Sequence, residues 1–154
     1  MNLYDISQVM EIESSVSTQP WSPQAFALEL TCNPCALYLV LETDEDSDRR
    51  IVGYMGLWHT HMGVWITTIA VAPEQSQRGW GACLLKQAQS RALDWGAKEI
   101  FLEVRKSNDQ ACSLYQSEGF VQIDVFFDYY HLPTEDALVF RKDLKDDLKL
   151  QTAS

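Results

Sequence analysis

The sequence has no apolar run long enough to cross a bilayer as a helix. The longest clean one, Ala36–Leu41, is far short of the roughly 20 residues such a span requires. No basic stretch followed by an apolar one stands near the N-terminus, so nothing reads as a secretory leader. Basic residues are scarce: 12 Lys and Arg stand against 22 Asp and Glu, a formal net charge of −10. Without an excess of cations the chain is ill suited to neutralise phosphates along a nucleic acid, and we expect neither a direct nucleic-acid partner nor a membrane partner. A negative surface keeps a protein soluble and steers cationic partners toward it. The four cysteines, Cys32, Cys35, Cys83 and Cys112, do not complete a metal site. Cys32 and Cys35 supply two ligands where a structural zinc takes four, and His59, His61 and His131 fall at no matching spacing. The pair follows a helix pattern and precedes a strand, which is not the setting of a redox pair that opens a helix. Reduced thiols in a cytoplasmic protein, with no metal, are the expectation.

What is present is enough for one domain with a sizeable core: 154 residues, 46% of them apolar. We expect a single domain over residues 1–144 and a polar, frayed tail from Lys145 to Ser154. Ile6, Val9, Met10 and Ile12–Glu13 recur with a helical period after Asp5. Ser22-Pro23 opens a second helix, with Phe26, Leu28 and Leu30 as its apolar contacts, and Asn33-Pro34 closes it. Ala36–Glu42, Ile51–Trp58 and Val64–Val71 read as strands, with the charged stretch Thr43–Arg50 as a solvated hairpin tip. Leu84, Leu85, Ala88, Ala92 and Leu93 mark a helix that closes at Trp95-Gly96. Glu99–Val104 is nearly continuous in apolar residues, a buried central strand. Asn108 caps a last helix that ends at Gly119, and Phe120–Phe127 and Asp136–Asp143 are closing strands. The order predicts an α/β (α+β) fold with a mixed central sheet and about four helices, distinct from a doubly wound nucleotide fold.

Between Ile69 and Leu85 the chain reads I-A-V-A-P-E-Q-S-Q-R-G-W-G-A-C-L-L. A strand runs into a short polar loop with two glycines and then into a helix. Loop amides and a helix N-terminus together form an anion site, and Gly79 and Gly81 let the backbone approach a ligand closely. No Lys follows Gly81, so the loop is not of the kind that serves nucleotide hydrolysis. A dinucleotide fingerprint would need a third glycine and a place after the first strand of the fold. A plain strand-to-helix turn is the alternative without a ligand.

A second segment, E-I-F-L-E-V-R-K-S-N-D-Q-A-C-S-L-Y-Q-S-E-G-F from Glu99 to Phe120, is the more specific. It resembles L-E-V-R-x-S-N-x-x-A-x-x-L-Y-x-x-x-G-F of the ribosomal-protein-alanine N-acetyltransferases, the RimI type within the GNAT superfamily. Pro20-Trp21-Ser22 with Phe26, Tyr129-Tyr130 and Glu135-Asp136-Ala137 are similar to further motifs of that group. The resemblance covers about Gln19 to Leu144. Two departures stand out. Ser76 occupies a loop position where the family carries Gln or Arg, and only Met1–Tyr4 is available for the strand that usually precedes the first helix. The first strand is therefore expected to be short or missing.

The resemblance implies acetyl-CoA as co-substrate and an amine as acceptor. It implies coenzyme contacts at Gln77, Arg78, Gly79, Trp80, Gly81, Ala82 and Asn108, and carbonyl polarisation by a backbone amide near Ile69, Ala70 and Val71. Glu103 is the candidate base, since burial beside Phe101, Leu102 and Val104 would strengthen a carboxylate as proton acceptor; the alternative is an ion pair with Arg105 on the same strand face. Tyr115 is the candidate acid, and a core aromatic is its alternative. An α-amine of pKa ~7.8 is about 15% neutral at pH 7, against about 0.04% for a lysine amine near 10.4. That favours an N-terminal acceptor. The implied function is acetylation of the N-terminal alanine of a small-subunit ribosomal protein, whose basic peptide suits an acidic enzyme. A lysine or small-molecule amine acceptor, or a non-catalytic acyl-CoA-binding module, are the alternatives.

Overall fold

A computed structural model describes residues 1–45 and 48–144; the expected tail from Lys145 lies outside them. Among the described residues there are four α-helices, α1 (Ile6–Val16), α2 (Pro23–Cys32), α3 (Trp80–Asp94) and α4 (Asp109–Ser117). The strands are β1 (Ala36–Glu45), β2 (Asp48–Thr60), β3 (Gly63–Val71), β4 (Glu99–Arg105), β5 (Val121–His131) and β6 (Thr134–Asp143). Hydrogen bonding orders them β1-β2-β3-β4-β6-β5. The β3–β4 pair is parallel, whereas β1–β2, β4–β6 and β5–β6 are antiparallel. This is the expected mixed α/β sheet. Ahead of α1 stands a 3-10 turn, Leu3–Asp5, capped by Asn2, and among the described residues no strand precedes the first helix. No helix among the described residues is long and apolar enough to cross a membrane.

The chain gathers into two compact units, Met1–Trp58 with Thr67–Leu84, and His59–Ile66 with the chain from Leu85 onward. In the first, Phe26 is the centre of the core. Its ring lies 5.4 Å from Trp21, 5.9 Å from Tyr38 and 5.7 Å from Tyr54, and Val9, Ile12 and Ile51 close around it. α2 begins as its sequence predicts: the Ser22 Oγ accepts the Ala25 N–H at 3.1 Å and Pro23 takes the first helical position. Leu28, counted among the apolar contacts, is exposed instead.

The buried phenols of this unit are held by carboxylates. Glu13 accepts the Trp21 N–H at 2.9 Å and the Tyr54 hydroxyl. Glu29 accepts the Trp58 indole N–H at 2.7 Å and the Tyr38 hydroxyl at 3.4 Å. Gly56 makes room for this arrangement. A Cβ there would stand 2.6 Å from the Tyr38 ring and 2.8 Å from the Thr67 Oγ1, closer than carbon tolerates.

The stretch Thr43–Arg50 departs from expectation. It is mostly paired strand, with Thr43 opposite Arg50, Asp44 opposite Arg49 and Glu45 opposite Asp48. Charge reads as solvated loop, yet a backbone ladder needs only extended geometry. Arg49 reaches both Glu42 and, at 2.9 Å, the buried Asp5.

In the second unit, Val64–Ile66 of β3 pair with Ile100–Leu102 of β4. Ile100, Leu102, Val104, Tyr115, Phe120, Val139 and Phe140 are buried there. α3 ends where Trp95-Gly96 predicts, with the Gly96 N–H donating to Leu93 at 2.8 Å and the Ala97 N–H to Ala92 at 2.9 Å. β5 is an edge strand and extends to His131, past the expected end at Phe127.

Candidate active site

The glycine loop belongs to the first unit. β3 carries Ile69, Ala70 and Val71 to its end, where the Ala72 N–H donates to the Val52 carbonyl at 2.8 Å. A 3-10 turn follows over Pro73–Gln75. The chain then passes through Gln77 at φ 60° and Gly79 at φ 82°. A Cβ on Gly79 would meet nothing within 4 Å, so its left-handed backbone, and not crowding, calls for glycine. A non-glycine residue such as Gln77 holds that conformation at a cost of about 1–2 kcal/mol, the kind of strain that concentrates at ligand sites. Such alternation of backbone turns aims successive amides at one anion.

Helix α3 starts at Trp80, and Gly81 falls in its first turn instead of in the loop. The Cys83 N–H already bonds the Gly79 carbonyl at 3.0 Å, whereas the amides before it have no helical partner. The Trp80 Nε1 is buried and carries no partner in the protein, an unused donor at the head of the helix. Donors, a helix N-terminus and the Arg78 cation suit a diphosphate such as that of acetyl-CoA.

The second unit holds Glu103, Asn108 and Tyr115. Glu103 is half-buried while its neighbours Leu102 and Val104 are buried, so the full burial expected of it is corrected: β4 turns this side chain toward polar company. Its carboxylate acts on the Tyr129 phenol. The interaction with Glu103, with burial and the carboxylate charge, pushes that phenol up to about 12 from its ordinary 10.0. Tyr130 is raised as well, first by burial and then by the Glu103 charge.

Arg105 pairs with Glu135 at 3.3 Å, lies 4.0 Å from the centre of the Tyr130 ring and donates to the carbonyls of Leu132 and Pro133, each at 3.4 Å. Glu135 also accepts the Ser107 N–H, which holds its carboxyl below the usual range. The Arg105 ion pair thus runs to the β5–β6 turn.

The Asn108 Oδ1 caps α4 by accepting the Ala111 N–H at 3.1 Å, leaving its Nδ2 as a donor. Tyr115 is buried, 6.1 Å from the Phe120 ring and 6.0 Å from Phe140. Burial raises its phenol above the ordinary value. Tyr129 is the residue that sequence reasoning left without a role; the Tyr129-Tyr130 match was the signal. Among the described residues no cluster of His, Cys, Asp or Glu could hold a metal ion.

The phenol makes a pH prediction. Tyr129 keeps its proton more firmly folded than unfolded, so its contribution to stability is complete below pH 10 and is lost as pH rises through about 12. In an absorbance titration of phenolate formation, the step near 12 moves back toward 10.0 in Glu103→Gln. An unmoved step would show that the carboxylate is not its cause.

The acetyltransferase (GNAT) family profile matches residues 6–120. A Bacillus subtilis relative, provisionally named a ribosomal protein bS18-alanine N-acetyltransferase, is 38% identical over 139 residues, 90% of this chain and 89% of its own. The Mycobacterium tuberculosis N-alpha-acetyltransferase RimI is 32% identical over 151 residues, 92% of this chain and 89% of its own. The crystal structure of the Escherichia coli ribosomal-protein-S18-alanine N-acetyltransferase superposes with a TM-score of 0.82 at 25% identity, covering 94% of this chain and 90% of that one. A profile match over most of the chain, a fold match and relatives above 30% identity agree: the chain belongs to the acetyltransferase (GNAT) family and is an N-acetyltransferase of its RimI-like branch.

Proposed function

We propose that the protein transfers an acetyl group from acetyl-CoA to the N-terminal alanine of a small-subunit ribosomal protein, in the cytoplasm. The observation that carries this reading is the Glu103 carboxylate, half-buried on β4 between the buried Leu102 and Val104. The relatives named for the bS18-alanine reaction support the acceptor. The net charge of −10 suits a basic peptide.

Acetyl-CoA supplies the acetyl group as an activated thioester. Gln77, Arg78, Gly79, Trp80, Gly81 and Ala82 would hold its diphosphate through amides, the guanidinium and the indole N–H, and Asn108 would contact the coenzyme. A backbone amide among Ile69, Ala70 and Val71 would polarise the thioester carbonyl. Glu103 takes the proton from the attacking amine. An α-amine is neutral often enough at pH 7 for one carboxylate to suffice. Tyr115 gives its proton to the departing sulfur. Its raised affinity for that proton makes early release unfavourable, so the transfer accompanies thiolate departure.

The acceptor is tested with two peptides incubated with protein and acetyl-CoA. One begins with Ala. The other has the same sequence blocked at its N-terminus and carrying Lys. Mass spectrometry is expected to find the acetyl group on the first alone. Label on Lys alone would assign the protein to lysine acetylation, and label on neither to another amine or to simple acyl-CoA binding.

A further inference from the structure

We infer that Glu13 is a positioning residue for acetyl transfer: through Tyr54 and Thr68, its buried carboxylate fixes the irregular segment of β3 whose backbone amide meets the thioester carbonyl. The inference deepens the proposed function and rests on its reading of β3 as the source of that amide.

Glu13 is a titratable group that the transfer chemistry does not use, and it is only 5% exposed. Burying a carboxylate is costly unless its oxygens find donors. One oxygen accepts the Trp21 N–H at 2.9 Å and the other accepts the Tyr54 hydroxyl. Burial, and then the bond to Glu13, raise the Tyr54 phenol above its ordinary value, so it keeps its proton and remains the donor. The Thr68 hydroxyl in turn donates to the Tyr54 oxygen at 3.4 Å. A line of side chains thus runs from α1 through β2 to β3.

The line ends where β3 breaks its alternation. A Cβ on Gly56 would lie 2.8 Å from the Thr67 Oγ1, and one on Gly53 would lie 3.5 Å from the Val71 Cγ2. Gly53 and Gly56 stand three apart on β2 and face opposite sides of the sheet. Thr67 and Val71 stand four apart and would share a side in a regular strand, yet they meet opposite sides. Thr68 reaches the Tyr54 hydroxyl, on the Gly56 side, so the slip falls between Thr67 and Thr68. Such a bulge re-aims the backbone and takes a residue out of the ladder, here just ahead of Ile69, Ala70 and Val71. An amide stabilises developing charge only when it is already aimed. Glu13, carried by α1, holds Tyr54, and Tyr54 holds the bulge through Thr68.

Two variants test the inference. Glu13→Gln keeps the size but sets an amide where two donors need an acceptor, and Thr68→Val keeps the shape and cuts the line at its far end. Steady-state kinetics with an Ala-initial peptide and acetyl-CoA are measured for wild type, both variants and the double variant, beside melting temperatures. The infrared stretch of the thioester carbonyl is recorded for isotope-labelled acetyl-CoA bound without acceptor. We expect kcat to fall about 10-fold in Glu13→Gln and about 5-fold in Thr68→Val, as for loss of a charged and of a neutral hydrogen bond. Both KM values should hardly change, and the double variant should be no slower than Glu13→Gln. The carbonyl band, lowered on binding to wild type, should return toward its free position in both variants. A lower melting temperature with kcat and band unchanged would make Glu13 purely structural and overturn the inference. A loss in Glu13→Gln beside an unaffected Thr68→Val, or losses that multiply in the double variant, would overturn it as well. If Glu13→Gln fails to fold, the kcat and band of Thr68→Val decide. A wild-type band at the position of free acetyl-CoA would instead remove the β3 amide from the mechanism, an outcome distinct from a lowered band that the variants leave in place.

Discussion

Glu103→Gln is expected to lower kcat/KM for an Ala-initial peptide by about 100- to 1,000-fold at neutral pH, within the usual contribution of a general base. Gln preserves size and an accepting oxygen, and removes only the capacity to take a proton. The side chain is half-buried on a strand whose other supports are apolar and remain in place. The melting temperature should therefore stay within about 2 °C of wild type. Activity should recover partly as pH rises toward the amine's own pKa of ~7.8, because the acceptor then arrives neutral and needs the base less. Unchanged kcat/KM at neutral pH would dismiss Glu103 as the base.

Tyr115→Phe is expected to lower kcat about 100-fold with KM nearly unchanged, the effect of losing a positioned acid. The competing account of Tyr115 is packing: it is buried and touches the Phe120 and Phe140 rings. Phe keeps those contacts, so a residue that only packs would tolerate the change. The measurement is release of the CoA thiol, followed with a thiol reagent. A kcat equal to wild type would return Tyr115 to the core and leave the leaving group to be protonated by solvent.

Both predictions concern residues that could be found in the sequence, and the reason is locality. Ser22, Asn108 and Gly96 end or begin helices through bonds to residues three or four away, so their roles can be read from neighbours. Glu103 sits in an apolar run that marks its strand. What could not be read depends on distant partners. Thr43–Arg50 looks like a loop because its charges are visible and its ladder is not. The left-handed turn at Gln77 has no signature in a residue that seldom adopts it. The left-handed turn at Asp128 is held by Asp136, eight residues on, which accepts its N–H; the motifs that contain these residues are recognisable, but their partnership is tertiary.

The central claim, acetyl transfer to an N-terminal α-amine, meets its most direct test in one peptide offering both nucleophiles. A peptide beginning with Ala and carrying an internal Lys is reacted with limiting acetyl-CoA at pH 7, and fragment masses locate the acetyl group. The account predicts the label on the alanine nitrogen, with its appearance slowed about 100- to 1,000-fold in Glu103→Gln. Label on the lysine nitrogen in wild type would contradict it.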